Sequence, residues 1–549
     1  DAGPQLAELQ PSRGFQSSVE PVLHFGLGKS AIKSLKIEWP DGSSQLVEKE
    51  KLKPNQFLTI EKNAAKTVEN DPKPTNFNKK PCFETVKTGL GDLSGFVQKE
   101  NYAQDFKVDF LLPWMLSAMG PRLAVGDANG DGLEDLWVGG AHESAAQLFF
   151  QEKSGSFRRS AQPDFEKDSD AEDLESAFFD ADGDGDLDLF VASGGNEFEE
   201  GAEQLRPRFY ANGGRGFFKK STDGLPDIRV SAQAVAVADF DGDSDRDIFL
   251  GGRLVAGKWP TAPRSFLLKN DGKGHFSDQT PPDLRNPGMV TGAKWGDLDG
   301  DGDPDLAIVG EWMPVMIFKN ERGSLQKTVV ENSEGLWQCL EMGDFDGDGD
   351  LDLAAGNIGL NVPFAASVDE PVTVVAADFD GNGSWDPVMS YFMGGKSWPM
   401  VSRDDILGQL PGLKKQFLHY DDYARADVAT IFGEKKLANA FRAKAVRTLT
   451  SILENKGKGD FSFKNLPIEA QYAPIFSILQ NKDKLILSGN LERARVKFGR
   501  MDANSGLVLE CGRDGSFVAV EPHRRPVRQR AAVRVIVTDG SSVLLLSDT

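Results

Sequence analysis

Asp180-Ala-Asp182-Gly-Asp184-Gly-Asp186-Leu-Asp188 runs straight into the apolar stretch Leu189-Phe-Val-Ala192. Near-copies of these nine residues begin at Asp127, Asp239, Asp297, Asp344 and Asp378. Each carries acidic or amide side chains at positions 1, 3, 5 and 9, with Gly at position 4, position 6 or both. A short apolar strand follows, as in Asp247-Ile-Phe-Leu250 and Asp305-Leu-Ala-Ile-Val309. Like charges at this range repel, so folding alone gives no reason to gather them. A hard cation does. Oxygen ligands on alternate residues, a backbone carbonyl and glycines that permit a tight curl are what Ca²⁺ takes.

The expected ligands are side chains 1, 3, 5 and 9, with position 7 giving its carbonyl. Four copies are all aspartate: Asp180, Asp182, Asp184, Asp186 and Asp188; Asp239, Asp241, Asp243, Asp245 and Asp247; Asp297, Asp299, Asp301, Asp303 and Asp305; Asp344, Asp346, Asp348, Asp350 and Asp352. The first copy supplies Asp127, Asn129, Asp131, Leu133 and Asp135. The last supplies Asp378, Asp380, Asn382, Ser384 and Asp386, and is expected to bind more weakly. The Glu at position 12 and the flanking helices of an EF-hand are missing. Five or six Ca²⁺ sites follow. A catalytic metal occurs once, whereas these recur along the chain, so the ions are read as structural, their binding energy contributing to folding.

The charge has the same source. The 549 residues carry a formal net charge of −22, from 84 acidic and 62 basic side chains. The six loops hold 26 aspartates, and the rest of the chain is nearly balanced. A general nucleic-acid binder needs a basic face, which is not indicated here. Cys82, Cys339 and Cys511 are too scattered for a disulfide framework or a zinc site. No apolar run reaches transmembrane length. The chain opens on Asp1 without Met and reads as a processed or excised piece. Loops of this kind bind with roughly 10⁻⁷ to 10⁻³ M affinity. An extracellular, cell-surface or periplasmic setting keeps the weaker ones filled.

Residues 1–63 read as a small β module. Ala31 to Trp39 alternates like a strand, Pro40-Asp41-Gly42 turns, and Gln45 to Glu48 returns. With Gly14-Phe-Gln-Ser-Ser18 and Leu23-His-Phe-Gly-Leu-Gly28 it resembles the ASPIC/UnbV domain, which is found beside FG-GAP/VCBS propeller repeats. That domain normally has further strands before the point where this chain starts. Residues 64–81 are rich in Pro, Asn and Lys and read as a linker.

Residues 82–549 repeat a strand, acidic loop, strand and hairpin. The hairpin recurs as Arg208-Phe-Tyr-Ala-Asn212 with Phe217, Ser265 to Asn270 with Phe276, and Ser451 to Asn455 with Phe461. Four short strands in about 50–60 residues make a propeller blade. The stretch resembles the FG-GAP/VCBS repeat family of integrin-α-like propellers. The expected fold is all-β: a propeller of four-stranded blades, seven or alternatively eight, with a helical insertion over about 396–440. A similar insertion is seen in bacterial members of that family. The unit from Asp344 to Asp378 is short, at 34 positions. Ile475–Gly489 and Val533–Leu546 keep their strands without the carboxylates and should bind no calcium. The last unit stops after two strands, with residues 82–110 the natural donors of the others.

If the loops join the first two strands of each blade, the residues after the second strand emerge on the opposite face. There lie His142, Asn196, Arg253, Glu311, Trp312, Asn357 and Asn490, expected to ring a channel mouth with Trp259, Trp398, Tyr420 and Tyr423 as flanking aromatic surface. The basic run His523 to Arg530 reads as a solvated loop, or as a polyanion contact. No nucleophile elbow or phosphate loop is present. The functional expectation is an extracellular binding or adhesion module for a glycan or protein partner. Its rivals are a calcium-dependent polysaccharide lyase or hydrolase and a structural surface or filament component.

Overall fold

The computed structural model describes residues 89–520 except 102, 118, 121, 505, 513 and 514, the backbone strands Val533–Thr538 and Val543–Ser547, and parts of residues 7–62. The chain divides into two units, Asp1–Lys80 and Pro81–Thr549. In the first, Leu35–Glu38 pairs antiparallel with Ser44–Val47, Leu35 facing Val47. The turn at 40–43, the Gly14–Ser18 stretch and the linker 64–81 lie outside the described residues, as does the basic run 523–530.

The second unit is built of four-stranded antiparallel sheets. Their first strands are Leu123–Gly126, Asp173–Phe179, Ser231–Ala238, Met289–Gly296, Cys339–Gly343 and Ser477–Asn481. Each lies beside the next, and Val533–Thr538 lies beside both Ser477–Asn481 and Leu123–Gly126. This cyclic succession of radial sheets is a β-propeller. It explains the inner-strand sequences, which favour small residues where strands crowd the axis. A Cβ added to Gly292 on the fourth inner strand would meet the Leu340 backbone nitrogen of the fifth at 2.8 Å. The second strands are enclosed on both faces and read as apolar runs; all six residues of Asp188–Ser193 are buried.

The core is accordingly a series of layers between neighbouring sheets. Phe190 and Ala192 of the second sheet pack with Ile248 and Leu250 of the third. Phe249 of the third packs with Leu306 and Ile308 of the fourth. Ala307 and Val309 of the fourth join Leu353 and Ala355 of the fifth.

Two expectations need correction. The insertion is not confined to a helical stretch at 396–440. The fifth sheet breaks off after Asp352–Gly356 and resumes with Ser451–Asn455, which pairs with that same strand. Between them stands a further four-stranded sheet, formed by Val372–Ala376, Val388–Met393, Lys396–Pro399 and Phe441–Ala445. Helices at Arg403–Gln409, Tyr420–Ala424, Val428–Phe432 and Glu434–Leu437 fill its last connection. The sixth acidic loop, at Asp378, belongs to this inserted sheet. Its spacing from Asp344 is short because the fifth sheet had completed only two strands. The residues before Leu123 also depart from the expected role. Gly91 bridges Phe157 in parallel at the outer edge of the first sheet, and Leu93 and Phe96 pack against Leu123 and Phe149. The described part of 82–110 therefore donates no strand to the last sheet.

Candidate metal centres

The six aspartate loops fold alike. Each links the first two strands of a sheet, and the position-1 carboxylate caps the curl. Asp180 accepts the Gly183 N–H at 2.8 Å and the Gly185 N–H at 3.0 Å. Asp297 does the same with Gly300 and Gly302, at 2.7 and 3.0 Å. Gly183 and Gly185 sit at φ +75° and +92°, conformations that cost a side chain about 1–2 kcal/mol. Position 3 accepts the N–H of position 5, as Asp182 does from Asp184 at 3.2 Å. Position 5 accepts from position 7, as Asp184 does from Asp186 at 2.9 Å.

Position 9 is different. Asp135, Asp188, Asp247, Asp305, Asp352 and Asp386 are all buried. One oxygen of each accepts the backbone N–H of position 2, at 2.9–3.3 Å across the six. In the five ring loops the other accepts a backbone N–H from the third strand, at 2.7–2.8 Å: from Gln151, Asn212, Asn270, Asn320 and Asn455. Asp386 instead takes the Gln409 side chain of the inserted helix at 2.7 Å. Burial, opposed by these hydrogen bonds and reinforced by the loop's other carboxylates, pushes Asp135 and Asp247 up to about 7 and Asp188, Asp305 and Asp352 up to about 6.

In five loops three carboxylate oxygens lie within 4.8 Å of one another. Four of these groups use positions 1, 3 and 9: Asp180, Asp182 and Asp188; Asp239, Asp241 and Asp247; Asp297, Asp299 and Asp305; Asp378, Asp380 and Asp386. The fifth uses Asp344, Asp346 and Asp348. The first loop offers Asn129 in place of a position-3 carboxylate. These all-oxygen donor sets could each hold a hard divalent cation. Position-7 side chains turn away towards the outer hairpin, as Asp303 does in accepting the Arg322 N–H at 2.9 Å.

Two partners of the loops were not foreseen. The side chain of the third-strand Asn reaches back to the preceding loop: Asn212 donates to the Ala128 carbonyl at 2.8 Å, Asn270 to Ala181 at 2.7 Å, Asn320 to Phe240 at 2.6 Å and Asn455 to Leu298 at 2.7 Å. The signal was in the recurring third-strand ending Ala-Asn, Lys-Asn and Glu-Asn. The residue just before that Asn also matters in two loops. Lys269 pairs with Asp241, and with Asp243 at 3.0 Å, and Lys319 pairs with Asp299 at 3.4 Å.

The opposite face is covered. Asn196, Arg253, Glu311, Trp312, Asn357 and Asn490 do stand at the far ends of the second strands, but all six are buried. Leu112, Trp114 and Leu116 of one covering segment, Leu491 and Met501 of another, and Val372, Val374 and Met389 of the inserted sheet form one apolar layer with Leu254, Trp259 and Trp312. Trp114 bridges Ala494, which joins the two segments. Beneath this layer the polar residues bind each other. The Arg253 guanidinium donates Nε–H to Gln233 at 2.8 Å and pairs with Glu311 at 3.0 Å, while Gln338 donates to Glu311 at 2.8 Å. The Asn357 backbone N–H donates to Thr450 Oγ1 at 3.0 Å, and Asn490 and Asn504 exchange two hydrogen bonds, at 2.8 and 3.0 Å. Only His142 is partly exposed, its N–H on Glu172 at 3.0 Å and its ring against Phe198. The expected mouth is thus an interior polar ring. Trp259, Trp312 and Tyr423 are core residues, while Trp398 is half-buried and Tyr420 exposed.

Beside His142, burial first and then the Glu100 and Glu197 carboxylates hold Glu172 well above the usual carboxylate range. Burial likewise raises Glu197 and Asp109. Among the described residues no helix is long and apolar enough to cross a membrane.

The family-model matches agree with this architecture. Residues 1–67 match the ASPIC and UnbV family model, and residues 127–191, 180–250, 255–308 and 297–355 match that of the FG-GAP-like repeat. No curated protein matches. Among solved structures the chain is similar to the Dos1 propeller, at 9% identity over 80% of this chain and 94% of that one, with TM-score 0.33. It is also similar to the Vibrio cholerae biofilm matrix protein Bap1, at 13% identity over 72% and 69%, TM-score 0.25. A third is the Bacillus licheniformis rhamnogalacturonan lyase PL11, at 13% identity over 72% and 70%, TM-score 0.29.

Proposed function

For a chain that carries an ASPIC and UnbV region followed by four FG-GAP-like repeats, we propose the role of an extracellular, calcium-stabilised binding module. The carrying observation is the repetition of one loop geometry on sheet after sheet, with the position-9 aspartate of each of the five ring loops clamped between a loop N–H and the third strand. A site that recurs around a ring staples blades; it is not a single reaction centre. On this reading Val533–Ser547 is the described half of a seventh blade.

The partner is a glycan or a protein, met on the surface of the cover and not at the channel mouth. A cleft of about 180 Å³ opens there between the inserted sheet and the 491–501 segment, lined by Pro113, Met389, Tyr391, Met400, Arg495 and Phe498 among others. Apolar and aromatic walls beside a cation suit a sugar ring or an extended peptide.

Melting the chain with and without EDTA tests the stabilising role; an unchanged transition temperature would refute it. Glycan-array and pull-down profiles of the native chain against Tyr391→Ala test the surface. Full binding by the variant places the partner elsewhere.

A further inference from the structure

The two covering segments and the inserted sheet meet at the cleft, and one guanidinium stands at their junction. The Arg495 backbone N–H donates to the Pro113 carbonyl at 3.0 Å, and its Nε–H to the Leu112 carbonyl at 2.7 Å. The guanidinium carbon lies over the Phe106 and Phe110 rings, 5.2 and 5.1 Å from their centroids. These contacts fix the stem and leave the far end in the cleft wall. Its ion-pair partner Asp405 stands 3.9 Å from Nη1, beyond hydrogen-bond range. Asp405 is taken instead by Lys497, and by the Ser402 hydroxyl at 2.8 Å. Among the described residues neither Nη1 nor Nη2 of Arg495 makes a hydrogen bond, although the side chain is only 17% exposed.

Charge and wall chemistry narrow what fits there. Two cations, Arg495 and Lys497, meet one carboxylate, Asp405, so the cleft is locally positive in a chain of net charge −22. Residues 491–501 carry Arg493, Arg495, Lys497 and Arg500 against Glu492 alone. Tyr391 forms part of the wall and is half-buried, and among the described residues its hydroxyl has no hydrogen-bond partner. Pro113, Pro363 and Pro387 have no N–H to give, so this wall offers little main-chain pairing to an extended peptide. An aromatic ring, a free phenol and an unpaired guanidinium fork suit instead a sugar that bears a carboxylate, since Arg takes carboxylates two N–H bonds at a time.

We propose that the cleft binds a uronate residue of an acidic polysaccharide, with Arg495 holding the sugar carboxylate and Tyr391 against the ring. This rests on the cover being the binding surface, and adds to it the charge of the ligand. Lys497 acts through Asp405, whose charge it offsets so that the ligand carboxylate is not repelled.

The probes are pectate, alginate and hyaluronan oligosaccharides, each beside its carboxyl-reduced form, titrated calorimetrically into the full chain at one fixed free calcium concentration. At least one uronate is expected to bind, and its reduced form to bind about tenfold or more weakly. Arg495→Lys keeps the charge and loses the fork, and should weaken uronate binding about tenfold while leaving the reduced form unaffected. Lys497→Met, at a side chain 54% exposed, serves if Arg495→Lys does not fold, and should weaken binding in the same direction. No binding of any uronate, equal binding of the reduced form, or native-strength binding by the folded charge variants overturns the proposal. A neutral glycan bound by the native chain and lost in Tyr391→Ala would keep the cover as the binding surface and sink only its acidic ligand. Uronate binding untouched by Tyr391→Ala and by the charge variants alike would sink both.

Discussion

The Asn270 side chain donates a hydrogen bond to the Ala181 carbonyl at 2.7 Å, and Ala181 lies in the aspartate loop of the preceding sheet. The Asn270 backbone N–H meanwhile holds Asp247 of its own loop at 2.8 Å. One residue thus links two consecutive loops, and Asn212, Asn320 and Asn455 repeat the arrangement. Aspartate loops and blade-to-blade contacts are one network.

Asn270→Ala should destabilise the chain by about 0.5–1.5 kcal/mol, because it removes one of the two donors to the buried Ala181 carbonyl, which keeps the Gly274 N–H at 3.1 Å. Urea denaturation checks the magnitude. The calcium affinity of the preceding loop should weaken too, although none of its ligands has changed.

Calcium protection should grow with pH. Burial pushes the position-9 aspartates of the five ring loops from about 3.8 up to about 6 to 7 in the metal-free fold. A raised carboxylate means that the fold binds the proton more tightly than the unfolded chain does. Their contribution is therefore present below about 3.8 and is lost as pH rises through 6 to 7. A cation offsets that loss, and protons compete with it. The calcium-induced rise in melting temperature should be small at pH 5 and large at pH 7.5. Equal rises at both would contradict this.

Ser244 occupies position 6 of the third loop at φ +77°, where the other five copies have glycine. Ser244→Gly should stabilise the chain by about 1 kcal/mol by removing the side chain from a left-handed conformation. Because the gain is conformational, it should appear in EDTA as well as in calcium.

Glu311→Ala should cost about 3–5 kcal/mol, since it strands the Arg253 guanidinium in the interior. Replacing the pair together by Met and Leu should cost much less. A double-mutant cycle measured by thermal melting reads both. Arg253 thus belongs to stability and is not a residue for probing partner contacts.

The blades and the aspartate loops were legible because both are written in short periods: alternate carboxylates, glycines where φ is positive, and an apolar strand directly after Asp188 or Asp247. The cover was not. Leu112, Trp114, Leu491 and Met501 come from segments nearly four hundred positions apart and share no pattern. The polar ring of Arg253, Glu311 and Asn357 therefore looked like surface. Sequence gives the end of the strand on which such a residue stands, but not what lies over it. Asp378 erred in the reverse direction. Its loop chemistry is that of the ring, and nothing in nine residues says which sheet they serve.

The interruption of the fifth sheet has a consequence for how the molecule assembles. Asp352 receives the Asn455 N–H across 103 positions, whereas Asp247 and Asn270 are 23 apart. Longer loops add closure entropy slowly, about 0.6 kcal/mol per doubling, but delay the pairing they separate. Val372–Ala376 pairs with Phe441–Ala445, so the inserted sheet, once folded, brings the two ends of the excursion together. The other aspartate loops of the ring are completed by strands that follow at once. The loop at Asp344 receives its third-strand partner only beyond the inserted sheet, and is expected to be completed later than the other five.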